Sequence, residues 1–130
     1  MSLAEFLAAS SRKPFVWGVS DCCLWLADWL VARGHEDPAA DLRGCYRTER
    51  GCARVLARHG GLLAVVTLCA QRAALTIADP AIAGDVGVVQ AQTADGVREV
   101  GALCLGRRWA IRAEAGLIVA EMSPLAAWRV

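Results

Sequence analysis

One stretch constrains the chain more than any other: Phe15-Val16-Trp17-Gly18-Val19-Ser20-Asp21-Cys22-Cys23-Leu24-Trp25-Leu26-Ala27-Asp28-Trp29-Leu30-Val31-Ala32-Arg33-Gly34. Pro14 fixes its own φ and disfavours helix at Lys13, so the chain enters this stretch extended. Gly18 permits a tight turn, Ser20 or Asp21 can cap free N–H groups, and Gly34 is the matching stop. The expected element is a helix with cysteine in its first turn. Asp28 is its only interior charge, while Leu24, Trp25, Leu26, Trp29, Leu30 and Val31 cover nearly the whole circumference, the mark of a central helix. Trp25 and Trp29 stand one turn apart, and each can bury about 150–250 Å², worth roughly 4–6 kcal/mol as an upper bound. Cys22 then lies at the positive end of a helix that the core holds rigid, a placement that favours a nucleophilic thiolate. The alternative is a buried, inert cysteine.

A chain of 130 residues is long enough for a real core and is expected to form one domain, residues 1–130. Its 56% hydrophobic content argues against disorder. Net charge is +1, with Arg and Lys scattered, so no nucleic-acid partner is expected. Glu5 and Ser10-Ser11 interrupt the start, so no signal peptide is expected and synthesis is assigned to a cytoplasm. The longest apolar run, Leu62 to Ala70, is too short to span a bilayer, so no membrane insertion is expected. Six cysteines (Cys22, Cys23, Cys45, Cys52, Cys69, Cys104) without a secretion signal read as free thiols.

Ser2-Leu3-Ala4-Glu5 has the form of a capping box, followed by Phe6 and Leu7. This predicts a short helix leaning on the central one, or an arm that docks on a neighbouring subunit. His35 to Tyr46 is a surface connection broken by Asp37-Pro38 and Gly44. Cys52, Val55, Leu56 and His59 fall at helical spacing, ended by Gly60-Gly61, and Leu62 to Ala74 reads as a further helix by its length. After Asp79-Pro80, strands are expected at Val86 to Gln90, Val97 to Leu105, Arg108 to Arg112 and Leu117 to Glu121. Their close turns favour an antiparallel meander with the helices on one face, and Trp128 closes the core.

Trp17-Gly18, Asp21-Cys22 opening an apolar helix, Gly84-Asp85-Val86 opening a strand, and Val100-Gly101-Ala102-Leu103-Cys104-Leu105-Gly106 as the next strand resemble the NlpC/P60 family. Those are papain-like cysteine peptidases and amidases that cut peptidoglycan stem peptides. More narrowly, the same motifs with the closing Ala-Trp-Arg-Val resemble a group of small proteins from phage and prophage tail modules. The resemblance implies an α+β, papain-like fold of N-terminal helices and a central cysteine helix packed on an antiparallel sheet.

A thiol nucleophile of this kind needs an imidazole to share its proton and a polar group to orient that imidazole. The resemblance makes Cys22 the candidate nucleophile and Asp21 the residue that shapes the turn, but it places Glu99 where the family has its histidine. The third polar position falls near Ile111 or Arg112, neither of which accepts a hydrogen bond from imidazole. Loss of the histidine alone costs on the order of a million-fold in turnover, far beyond the roughly 0.3–2 kcal/mol that a helix terminus supplies. Substitute bases are His59, on the expected inner face of its helix, and Glu99 in a buried setting that raises its pKa. His35 lies past the helix end, about 20 Å from Cys22 at 1.5 Å per residue. In the resembling peptidases the segment after the cysteine helix helps wall the cleft, which offers Tyr46 such a role; a tyrosine packed on the core edge is the alternative.

With no Cys-x-x-Cys and no His-x-x-x-His, neither a metal site nor a cofactor is expected. What the resemblance implies is a tail-tip or hub component of the virion tail, with other tail proteins as partners and a degenerate catalytic site. Its alternatives are an active endopeptidase or amidase acting on peptidoglycan peptides, and a cytoplasmic tail-assembly factor. Mean hydropathy of +0.39 is high for a small soluble monomer and leans towards apolar surface buried by partners.

Overall fold

The computed structural model describes residues 1–130. Four helices precede a sheet: α1 (Leu3–Arg12), α2 (Leu24–Ala32), α3 (Glu49–Arg58) and α4 (Leu62–Arg72), then β1 (Thr76–Ile77), β2 (Val86–Thr93), β3 (Gly96–Cys104), β4 (Trp109–Ala113), β5 (Gly116–Ala120) and β6 (Ser123–Arg129). The class is α+β, with a six-stranded antiparallel sheet in the order β1-β6-β2-β3-β4-β5. No single helix is long and apolar enough to cross a membrane.

The capping box at the start of α1 is reciprocal: Glu5 N–H donates to Ser2 Oγ, and Ser2 N–H donates to Glu5 Oε1. That helix docks on α2 instead of standing free as an arm. Phe6 packs against both tryptophans, with ring centroids 5.8 Å from Trp25 and 5.1 Å from Trp29. Both buried indoles satisfy their N–H: Trp25 Nε1 donates to Ser10 Oγ at 2.8 Å and Trp29 Nε1 to the Gly84 carbonyl at 2.8 Å. With Leu26, Leu30, Val86, Val88 and Leu103 they form the main core, between α2 and one face of β2 and β3.

Strands β2 to β5 form the expected meander, but two strands were not expected. β6 turns back to lie beside β2, and β1 adds two residues outside it. The sequence of β6 hides it, because Pro124 and Ala126-Ala127 are poor strand residues. Pro124 is tolerated because the β2–β6 register shifts between Val88 and Val89, beside it, and β1 reaches only Trp128 and Arg129. At the opposite edge β5 pairs only with β4 and exposes Ile118 and Val119.

The Gly84-Asp85 pair acts at this closure. Asp85 is buried, accepts from Ile82 N–H at 2.8 Å, and takes the Arg129 guanidinium at 3.0 and 3.1 Å. Its backbone carbonyl accepts from Cys104 N–H, so one residue ties the start of β2 to β3 and to the end of β6.

Trp29 joins α2 to the turn before β2 by packing and by its indole hydrogen bond. Trp29→Ala is expected to lower the unfolding free energy by about 3–5 kcal/mol, with Trp29→Phe intermediate, as read by urea titration.

Candidate functional site

The site is built on Asp21. Its side chain is fully buried, and each carboxylate oxygen accepts two hydrogen bonds. Oδ1 receives Cys23 N–H and Leu24 N–H at 2.9 Å, which is how a residue caps a helix, and Oδ2 receives Gly18 N–H at 2.8 Å and Tyr46 O–H at 2.7 Å. Trp25 N–H donates to the Asp21 carbonyl, and Cys23 already has helical dihedrals, so Cys22 and Cys23 lie in the turn that leads into the regular helix at Leu24. Ser20, the other capping candidate, instead donates its hydroxyl to the Pro14 carbonyl.

Gly18 is fixed by space as well as by φ. At φ +81° a Cβ there would meet the Tyr46 carbonyl oxygen at 2.0 Å, so only glycine lets the turn sit against the segment after α2. Tyr46 packs at the edge of the core and borders the apolar recess among α2, α3 and α4. It is a buried strut whose hydroxyl ends on Asp21, packed with Cys52 and Val55. Burial first, and the Asp21 hydrogen bond next, push its phenol well above the ordinary tyrosine range.

Three sulfurs run inward from the turn. Cys22 Sγ lies 3.9 Å from Cys23 Sγ, which lies 3.9 Å from Cys52 Sγ on α3. Cys22 and Cys23 are partly exposed and Cys52 is buried. Hydrogen bonding with Cys22 and Cys52, and then burial, push the Cys23 thiol up, while hydrogen bonding with Cys23 draws the Cys52 thiol down against the cost of burying it. Cys52 was legible only as one apolar position of an amphipathic helix. Nothing in its spacing pointed to Cys23.

The bases expected near Cys22 are not brought to it. His59 does not lie on the inner face of α3: it is exposed at the helix C-terminus, its Nδ1 is paired with the Val55 carbonyl at 2.9 Å, and it stands about 10 Å along the axis from Cys52. His35 follows α2, its N–H bonded to the Leu30 carbonyl. Glu99 does share a sheet face with Gly101, by strand alternation, and a Cβ on Gly101 would stand 2.9 Å from Leu26 and 3.7 Å from the Cys22 carbonyl. The buried setting needed for Glu99 is absent, however. It is exposed, beyond the α2 contact, with no ion-pair or hydrogen-bond partner. Arg112, at the third polar position, is buried; its guanidinium donates to the Lys13 and Ala113 carbonyls and covers the Phe15 ring. It pins the extended lead-in to β4.

Asp21, Cys22 and Cys23 place ligand-type atoms within 4.8 Å of one another. Yet the four donors on Asp21 use all its lone pairs, which leaves a cation only two adjacent sulfurs in that cluster. None of the three principal recesses is lined by Cys22. The most enclosed, about 50 Å³, is an apolar seam among α2, α3 and α4 that Cys23 borders. Another, about 440 Å³, lies on the far side of α2, where Arg43 bridges Asp28 and Asp37 at 2.8 and 2.6 Å. This bridge accounts for the lone charge in the central helix. Burial raises the Asp28 pKa and the Arg43 charge opposes the rise.

Residues 1–130 match the family described as a domain of unknown function (DUF6950), and the chain belongs to that family. No curated protein and no solved structure matches it.

Removing Asp21 leaves four donors, three of them buried, without their acceptor. Asp21→Ala is expected to cost on the order of 3–5 kcal/mol and Tyr46→Phe about 1.5–3 kcal/mol, measured by denaturant unfolding. The folded chain keeps the Tyr46 proton above pH about 10, where the unfolded chain loses it. The unfolded state then binds fewer protons, so stability falls as pH rises past about 10, by up to about 1.4 kcal/mol per pH unit, and Tyr46→Phe flattens the fall. Tyr46 is the only tyrosine, so tyrosinate absorbance reads it directly, and in the folded chain it is expected to lag behind the denatured chain.

Proposed function

We propose that this chain is a phage or phage-derived tail-tip or hub component, built on a papain-like NlpC/P60 scaffold whose hydrolytic chemistry has lapsed. The observation that carries the proposal is what surrounds Cys22: its reactive neighbour is another thiol, and neither imidazole is near. A cysteine hydrolase needs a base within hydrogen-bond reach, and the nucleophile's position at a helix start does not supply one.

The order of elements supports the scaffold. The helix that follows Cys22 and Cys23 packs on the strand after the Gly-Asp strand, and Gly101 gives the close approach. The residues at the family's other catalytic positions have different work or none: Arg112 is committed to backbone carbonyls, and Glu99 is a solvated carboxylate. An adaptor also suits the apolar side chains at the sheet edges, where Ile77 is 81% exposed on β1 and Ile118 and Val119 are exposed on β5.

The purified chain, incubated with peptidoglycan stem-peptide fragments, is expected to release no new amine ends above a Cys22→Ala control. Purified tails from the encoding phage are expected to contain the chain. Cleavage that depends on Cys22 overturns the lapsed chemistry, and absence of the chain from purified tails overturns its placement in the tail.

A further inference from the structure

The line of sulfurs is more than a hydrophobic filling. Cys22 is the partly exposed end, Cys23 the middle and Cys52 the buried end, with 3.9 Å between neighbours. The other three cysteines, Cys45, Cys69 and Cys104, are apart from this line; their nearest hydrogen-bond partners are backbone groups. A disulfide needs sulfurs at about 2.05 Å, so at 3.9 Å each adjacent pair is in contact and unbonded. We propose that Cys22, Cys23 and Cys52 form a thiol relay that reduces a hydroperoxide at the surface and stores the oxidation inside as a Cys23–Cys52 disulfide. This goes beyond the tail-component reading and does not rest on it, since it depends only on the three sulfurs.

The steps balance. Cys22 Sγ attacks the outer oxygen of a hydroperoxide, the O–O bond breaks, the alcohol leaves, and Cys22 becomes a sulfenic acid. Cys23 Sγ attacks Cys22 Sγ, the S–O bond breaks, and water departs with the thiol proton, giving a Cys22–Cys23 disulfide. That bond closes a small ring across one peptide unit and strains its planarity, so it is a poor resting place. Cys52 thiolate then attacks Cys23 Sγ, the S–S bond breaks, and Cys22 leaves as a thiolate that regains a proton. In sum, two thiols give up two electrons and two protons, and the hydroperoxide becomes an alcohol and water. Cys22 is returned to its thiol form, ready to react again or to stay as it was.

The polarity of the line suits this direction. The Cys23–Cys52 contact at 3.9 Å draws the Cys52 thiol down, which favours the innermost sulfur as the attacking one in the last step. Entry from the other end is closed, because Cys52 is 4% exposed.

The test treats the intact chain with hydrogen peroxide, blocks remaining thiols by alkylation, and maps tryptic peptides. Cleavage at Arg12, Arg33, Arg50 and Arg54 puts Cys22 and Cys23 on one peptide and Cys52 on another. The expected product has lost two hydrogens, links these two peptides through Cys23, and carries an alkylated Cys22. Cys22→Ser is expected to slow peroxide-driven formation of that link on the order of tenfold or more, and Cys52→Ser to halt the relay at a Cys22–Cys23 disulfide, read as a loss of two hydrogens within one peptide. The relay is overturned if the wild-type chain gains oxygen at Cys22 without the link, if the link joins Cys22 to Cys52, or if Cys22→Ser forms it at the wild-type rate. The first two outcomes are read on the wild-type chain alone, so they hold even where a variant folds poorly.

Discussion

The carboxylate of Asp21 is the point from which the rest of the structure is set. A buried charge without partners is unaffordable in a core of this size, and the four donors it gathers come from three separate pieces of chain: the Gly18 turn, the start of α2, and Tyr46. Holding those pieces together fixes the angle at which α2 enters the core. That angle in turn places Trp25, Leu26, Trp29 and Leu30 against the sheet and against Phe6. The same carboxylate therefore governs the position of the sulfurs, although it touches none of them through a side-chain bond. This arrangement explains why an ionised side chain is worth keeping in a place where hydrophobic packing alone would be cheaper.

What was legible in the sequence followed periodicity and punctuation. The largely apolar helix between Gly18 and Gly34, the capping box at Ser2, and the four strands from Val86 to Ala120 each carry a local signal that tertiary packing reinforces. β6 carried none, because Pro124 contradicts a strand locally and only the register shift against β2 makes it acceptable. The candidate site was legible in part for the same reason. Asp21 and Cys22 follow from the turn, but Cys52 comes from a different helix, and its approach to Cys23 is a product of how α3 packs. His59 misled because helical spacing identifies a stripe on α3 without saying that the stripe ends before the last residue, where the chain turns away through Gly60 and Gly61.

Neither position expected to carry a base or its orienting group supplies one: Glu99 is exposed and Arg112 is buried. Arg112 cannot accept a proton, and its buried guanidinium is already spent on two carbonyls. Asp85, which the sequence offered only as half of a Gly-Asp pair, anchors Arg129 near the chain's end. Such a motif can therefore reflect construction. The Gly-Asp pair and the closing Ala-Trp-Arg-Val are two halves of one joint, separated by more than forty residues and brought together across the sheet.

The two edges of the sheet are unlike. On one side, β6 has an outward run that β1 covers only at its end, and Pro124, with no N–H to give, sits in the uncovered part. On the other, β5 offers a full row of backbone groups with no proline. A sheet blunted on one side and open on the other accepts an added strand in one direction only. Any such pairing ends after a single addition, where two open edges would let copies run on into a fibre, so the proline that made β6 hard to recognise also acts as a terminator of growth.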